Sequence, residues 1–230
     1  MINLMIKYGS LLSTNWGKLL EAVSSIDKLF FMKSGREDQL LRSRASNLNK
    51  NDADFTRMVC NAEVLSKHMN LNIIDQIFIK TTALNDQNLF FFITALCEVS
   101  ELEFSDTKIP RTFSIQKIVE VAEYNIFRRS IPWIRIWHTF CTHVIETIPR
   151  NNSNSLNMFI IDSLKQLSLK YLMKPDIQKC EYQVEIFKPF LEIFKLTKDD
   201  SLQEFILICI NNLLAHDMTN TRLAWPIIFE

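Results

Sequence analysis

Glycine is nearly missing from this chain: there are three in 230 residues. Gly-rich phosphate cradles need a run of such residues, and sheets with many tight turns need them at each turn, so both are nearly excluded. Charge imbalance is missing too. Lys and Arg number 26 and Asp and Glu number 26, for a formal net charge of zero. The chain as a whole therefore carries no electrostatic footprint for nucleic acid or for an anionic membrane. No CxxC pair occurs among the five cysteines at 60, 97, 141, 180 and 209. Cys141 and Cys209 fall on apolar helical faces and Cys97 in a Phe-rich run, as reduced core residues of a cytosolic protein would. Long hydrophobic runs are also wanting. The densest, Leu89 to Cys97, is far short of the ~20 residues a membrane span needs. The opening MINLMIKYGSLL has neither a basic start nor a small-residue cleavage site, and reads as a helix rather than a signal peptide.

What is present is helical periodicity. Hydrophobic residues make up 47% of the chain and charged residues 23%, enough apolar mass for a sizeable core. The organising stretch is PRTFSIQKIVEVAEYNIFRRSIPWIRIW, from Pro110 to Trp137. Thr112 or Ser114 can cap its first helix. Ile115, Ile118, Val119, Ala122 and Ile126 then fall on one face, with Gln116, Lys117, Glu120 and Glu123 opposite. Arg128 and Arg129 close that helix, where cations suit the dipole. Pro132 opens the next one, whose inner face is Trp133, Ile136, Trp137, Phe140, Cys141, Val144 and Ile148; Pro149 ends it. The short connection predicts an antiparallel αα-hairpin.

The same reading extends along the chain. Helices are predicted at 2–13 and 16–31, with Asn15 as a candidate cap, and at 55–68, 71–80 and 86–104. The segment 32–54 is polar and without period, so an exposed, disordered loop is expected there. Further helices are predicted at 155–173, 183–196 and 201–215, the last capped by Asp199 or Asp200, and one begins near Ala224–Pro226. Their expected inward residues are Leu156, Phe159, Ile160, Leu164, Leu167 and Tyr171, then Phe187, Phe190, Leu191 and Phe194, then Leu202, Phe205, Ile206, Cys209 and Leu213.

An internal echo accompanies them. Pro132-Trp133-x-x-Ile136-Trp137, Pro189-Phe190-x-x-Ile193-Phe194 and Trp225-x-x-Ile228-Phe229 share one pattern, and Trp16-x-x-Leu19-Leu20 is a weaker copy. Helix starts near 112, 155 and 200 recur at a HEAT or armadillo period. The expected fold is all-α, an α-solenoid of HEAT/armadillo-like antiparallel helix hairpins. Its parts are a first helix pair at 1–31, the loop at 32–54 and one continuous helical-repeat segment at 55–230. Polar capping repeats are not evident, and LAWPIIFE stops a turn into an apolar helix, so a piece of a longer solenoid is expected and self-association is left open.

The stretch PRTFSIQKIVEVAEYNIFRRSIPWIRIW, followed by IIDSLKQLSLKYL, KPFLEIF and RLAWPIIF, resembles the first homology-downstream-of-Sec-seven segment of large Golgi Arf guanine-nucleotide exchange factors of the brefeldin-A-inhibited type. The resemblance is close over 95–229, weaker over 1–31 and absent over 32–54, and it departs at the Phe127–Ile131 corner and the Ile148–Ser155 loop. It implies a non-catalytic regulatory segment, because the exchange activity and its glutamate finger lie in a separate upstream domain. Implied partners are an activated Arf-family GTPase and other segments of the same factor. Recruitment to Golgi and trans-Golgi membrane from the cytoplasm is implied as well, with peripheral association and with no cofactor and no nucleic acid.

Candidate residues follow. Arg128, Arg129 and Arg135 form a basic corner beside Trp133 that could touch an acidic partner or a lipid headgroup, although helix-end solvation is the plainer reading. Asn125, Trp133, Trp137, Gln166 and Trp225 are expected to be structural, with the Asn125 and Gln166 amides bonding neighbouring repeat loops. His138, Cys141 and His143 lie within six residues, but His143 is off the face of the other two. A core cysteine beside surface histidines is favoured over a zinc site or a Cys–His nucleophile. Glu101, Glu103 and Asp106 read as a solvated turn. No catalytic, cofactor-binding or metal residue is assigned. The rival functions are a generic HEAT-repeat scaffold or transport adaptor and, more remotely, an enzyme of unknown class.

Overall fold

A computed structural model describes residues 2–33, 71–105, 111–128, 130–173, 182–216 and 225–228, with positions 57, 60, 61, 63–65 and 67 between. All its described regular elements are helical. They are α1 (Ile2–Leu12), α2 (Trp16–Lys33), α3 (Leu71–Ile79), α4 (Asp86–Ser105), α5 (Phe113–Tyr124), α6 (Ser130–Thr147), α7 (Asn154–Leu172), α8 (Tyr182–Leu196), α9 (Asp200–His216) and the short α10 (Trp225–Ile228). The fold is all-α, as composition and period imply. Apart from Met32 and Lys33, which end α2, the loop expected at 32–54 lies outside the described residues. The positions described between 57 and 67 are helical.

The chain divides into two compact units, Met1–Ser114 and Ile115–Glu230. In the first, α1 passes into α2 through a 3-10 turn at Ser13–Asn15, where Ser13 takes a left-handed φ of 44°. The chain is tight here. A Cβ on Gly9 would stand 3.2 Å from the Trp16 ring and 3.3 Å from Leu84, which explains a glycine in α1. Asn85 caps α4, its side chain accepting the Asn88 N–H at 2.8 Å. Trp16 meets Phe92 edge-on at 4.7 Å, and about two to three turns further along the two helices Ser24 bonds Glu103. Helices α2 and α4 therefore lie side by side in the same direction, and α1 packs on α3.

The second unit repeats this arrangement. Trp133, near the start of α6, meets Tyr171, near the end of α7, at 4.7 Å, so α6 and α7 run in opposite directions. Asn154 at the start of α7 bonds Asp199 at the start of α9, and α7 and α9 pack closely in one direction. Trp137 of α6 donates its indole N–H to the Glu185 carbonyl of α8 at 3.1 Å. Alternate helices thus stack on each other, the arrangement that successive helical hairpins produce. Starts at 113, 154 and 200 keep the expected spacing.

Most predicted inward residues are buried, with corrections in register. All seven named for α6 are buried. In α5 Val121 is buried while Val119 and Ile126 are half-buried. Phe159, Leu191, Phe194 and Phe205 are half-buried, and Ile161, Ile186, Ile193 and Ile210 are buried. The reason is packing on more than one side. Helix α7 touches α6, α8 and α9, so its buried stripe is wider than a one-sided amphipathic pattern. The echo motif is not tied to one place in the helix: Pro132 lies in the first turn of α6, whereas Pro189 lies inside α8.

Candidate functional site

The corner between α5 and α6 is built around Asn125. Its backbone N–H continues the helix to Val121 O at 3.1 Å, and its side-chain amide donates to the same carbonyl at 2.8 Å. Its Oδ1 accepts the Arg128 Nε–H at 2.7 Å, and its backbone carbonyl accepts the Arg128 N–H at 3.0 Å. Asn125 is buried, so these partners matter: an unpaired buried amide costs about 1–3 kcal/mol. These bonds close the turn that Asn125 itself begins. Arg128 is half-buried, Arg135 is exposed on α6, and Arg129 lies outside the described residues. Phe127, between Asn125 and Arg128, is 97% exposed.

Below the corner lies an aromatic cluster. Trp133 and Trp137 are buried, with Tyr171 at 4.7 Å from the first and edge-on at 5.6 Å from the second. Such pairs add about 0.5–1.5 kcal/mol beyond their buried area. The other residues expected to be structural differ. Gln166 is exposed and bonds Asp162 on its own helix at 2.6 Å, with Lys165 paired to the same carboxylate. Trp225 is 42% exposed on α10, which packs on α8.

In the first unit the structure assembles a polar node that the sequence reading placed in solvent. Glu103 is 2% exposed. It accepts Ser24 Oγ–H at 2.6 Å, Ser114 Oγ–H at 2.8 Å and the Ser114 backbone N–H at 3.0 Å. The carboxylate thus caps α5 from another helix, a favourable place for a negative charge. Arg111 donates to the Ser24 carbonyl at 2.7 Å and to Ser24 Oγ at 2.8 Å, and lies 3.7 Å from Asp27. A signal for Glu103 existed: it stands three and four residues after Ser100 and Val99, on the buried face of α4. Glu101 is exposed and Asp106 lies outside the described residues.

The His–Cys group does not converge. His138 is exposed, while Cys141 and His143 are both buried, so only one of the two histidines is at the surface. Burial pushes the Cys141 thiol well above its ordinary value, helped by Glu192 and Glu185, which is the wrong direction for a nucleophile. Burial alone lowers His143 to about 4. Among the described residues no three His, Cys, Asp or Glu side chains are placed to hold a metal, and no helix is long and apolar enough to cross a membrane. These features make a helical framework with an exposed turn at Phe127.

Comparison with known proteins agrees in class. Residues 170–230 match the sequence profile of the Sec7-like HDS family, described as Mon2/Sec7/BIG1-like, HDS. The chain is 32% identical over 166 residues to brefeldin A-inhibited guanine nucleotide-exchange protein 3 of Arabidopsis thaliana, covering 70% of this chain and 9% of that protein. It is 27% identical over 245 residues to the human brefeldin A-inhibited guanine nucleotide-exchange protein 1, covering 96% of this chain and 13% of the relative. The chain belongs to the Sec7-like HDS family, a segment whose relatives here are parts of the brefeldin A-inhibited exchange proteins. It spans about a tenth of the length of these curated relatives.

Proposed function

We propose that this chain is a non-catalytic regulatory segment of a large Arf guanine-nucleotide exchange factor that acts in Golgi vesicle trafficking. It binds an activated Arf-family GTPase, contacts other segments of the same factor, and controls recruitment to the Golgi and trans-Golgi membrane from the cytoplasm. The observation that carries the reading is the HDS match over 170–230 together with similarity to exchange proteins over nearly the whole chain. Exchange itself would reside elsewhere in such a factor. The helical hairpins of each unit are read as HEAT/armadillo-type repeats, whose surfaces recognise other proteins.

The corner residues Arg128 and Arg129, with Arg135 on α6, are the proposed contacts for an acidic partner surface. The test is a pull-down of Arf loaded with GTP or with GDP on the immobilised chain. Selective retention of the GTP form is expected. Equal retention of both forms would remove the effector reading. The double substitution Arg128→Glu and Arg129→Glu is expected to weaken retention at least tenfold, and unchanged retention would clear these residues.

A further inference from the structure

Phe127 has no evident structural duty. It is 97% exposed, yet the turn that carries it is fixed on both sides by Asn125 and Arg128. A fully exposed aromatic held on an ordered turn forgoes the burial that such a side chain normally gains. Two further apolar side chains are exposed nearby in the fold. Tyr124, at the end of α5, is 40% exposed, and Met173, just past the end of α7, is 60% exposed. Both belong to one end of the unit, because Lys170 of α7 reaches Glu123 of α5 at 2.6 Å. Lys170 and the half-buried Arg128 supply cations at the rim. The Lys170–Glu123 pair is about half exposed on both sides, so it is a weak contact that Lys170 can exchange for another anion.

The geometry points to this end, which exposes Phe127, Tyr124 and Met173, as a shallow anchor into an anionic lipid bilayer, with Lys170 and Arg128 facing the headgroups. The occupant follows from the layout. Three apolar side chains at helix ends and on a turn offer far less area than a stable protein interface, but enough for insertion at the headgroup boundary. Cations beside them complement anionic lipid over a short range, even in a chain whose total charge is zero. The inference rests on the recruitment part of the function proposed above and names the surface that meets the membrane.

The test uses the 230-residue chain and co-sedimentation with phosphatidylcholine vesicles, with and without phosphatidylserine. The wild type is expected to sediment with the phosphatidylserine vesicles. Phe127→Glu is expected to lose about ten- to a hundredfold in vesicle affinity, the range for one buried aromatic, while Phe127→Trp retains binding. Because Phe127 is outside the core, both variants should melt at the wild-type temperature by circular dichroism. Equal sedimentation of wild type and Phe127→Glu would overturn the proposal, and so would a wild type that ignores phosphatidylserine. If Phe127→Glu instead lost GTP-loaded Arf and kept the vesicles, the corner would be a protein-docking surface and the bilayer assignment would fall. Vesicle binding without GTPase binding would support the anchor while removing the effector reading.

Discussion

Glu103 lies inside the first unit with three donors on its carboxylate and Arg111 beside the same serine. Removing the carboxylate strands those donors in a dry site. Glu103→Ala is therefore expected to destabilise the chain by about 3 kcal/mol, read as a lower midpoint in urea; a midpoint equal to wild type would show that the node is dispensable. A second residue sets the response to acid. His143 is buried and its folded value is lowered to about 4 against an ordinary 6.5, so the unfolded chain takes up the proton first. The stability tied to His143 is complete above pH 6.5, falls as pH drops, and is fully lost near pH 4. The loss is about 3 kcal/mol over that window. His143→Leu should flatten the profile there, and an unchanged slope would contradict the assignment. Residue roles were the least legible in the sequence. Ser114 in α5 and Asn125 just past its end are buried polar residues that the sequence marks as a candidate cap and a structural amide, without showing what they bond. Their partners, Glu103 and Arg128, become visible only when the chain folds.

Elements were far more legible. Predicted helix ends at α2, α7, α8 and α9 fall within about two residues of the observed ones, the usual spread. Low glycine, prolines near helix ends and a steady 3.6 period all act locally, so local sequence reports them. The stacking of α7 on α9 does not. It uses one carboxylate: Asp199 accepts the Leu202 N–H at 2.9 Å as the cap of α9 and the Asn154 side chain at 2.8 Å from the start of α7. Bonds from Ser201, then Asn154, then the Leu202 N–H hold this carboxyl below the usual range. Its contribution is thus present above pH 3.8 and fades only as pH falls through its lowered folded value, clear of most of the His143 window. Asp199→Ala is expected to destabilise the chain and to speed amide exchange in the first turn of α9. Unaltered exchange in that turn would mean the cap does not hold it. The Phe205, Leu191 and Phe194 errors have a matching cause, since neighbours on two sides redraw a stripe that periodicity draws for one.

At the scale of the whole molecule, the resemblance read from PRTFSIQKIVE and the motifs after it agrees with the HDS profile over 170–230 and with the named exchange proteins. The exposed corner could not be read the same way, because exposure is a property of packing, and Phe127 in an IFRR run looks like one more core aromatic. As a regulatory segment, the chain should change the work of a catalytic partner without doing that work. The direct measurement is the rate of fluorescent GDP release from an Arf-family GTPase with the chain alone, with a Sec7 catalytic domain alone, and with both. The account predicts no acceleration by the chain alone and a changed rate when it joins the catalytic domain; acceleration by the chain alone, or an unaltered rate in the mixture, would contradict it.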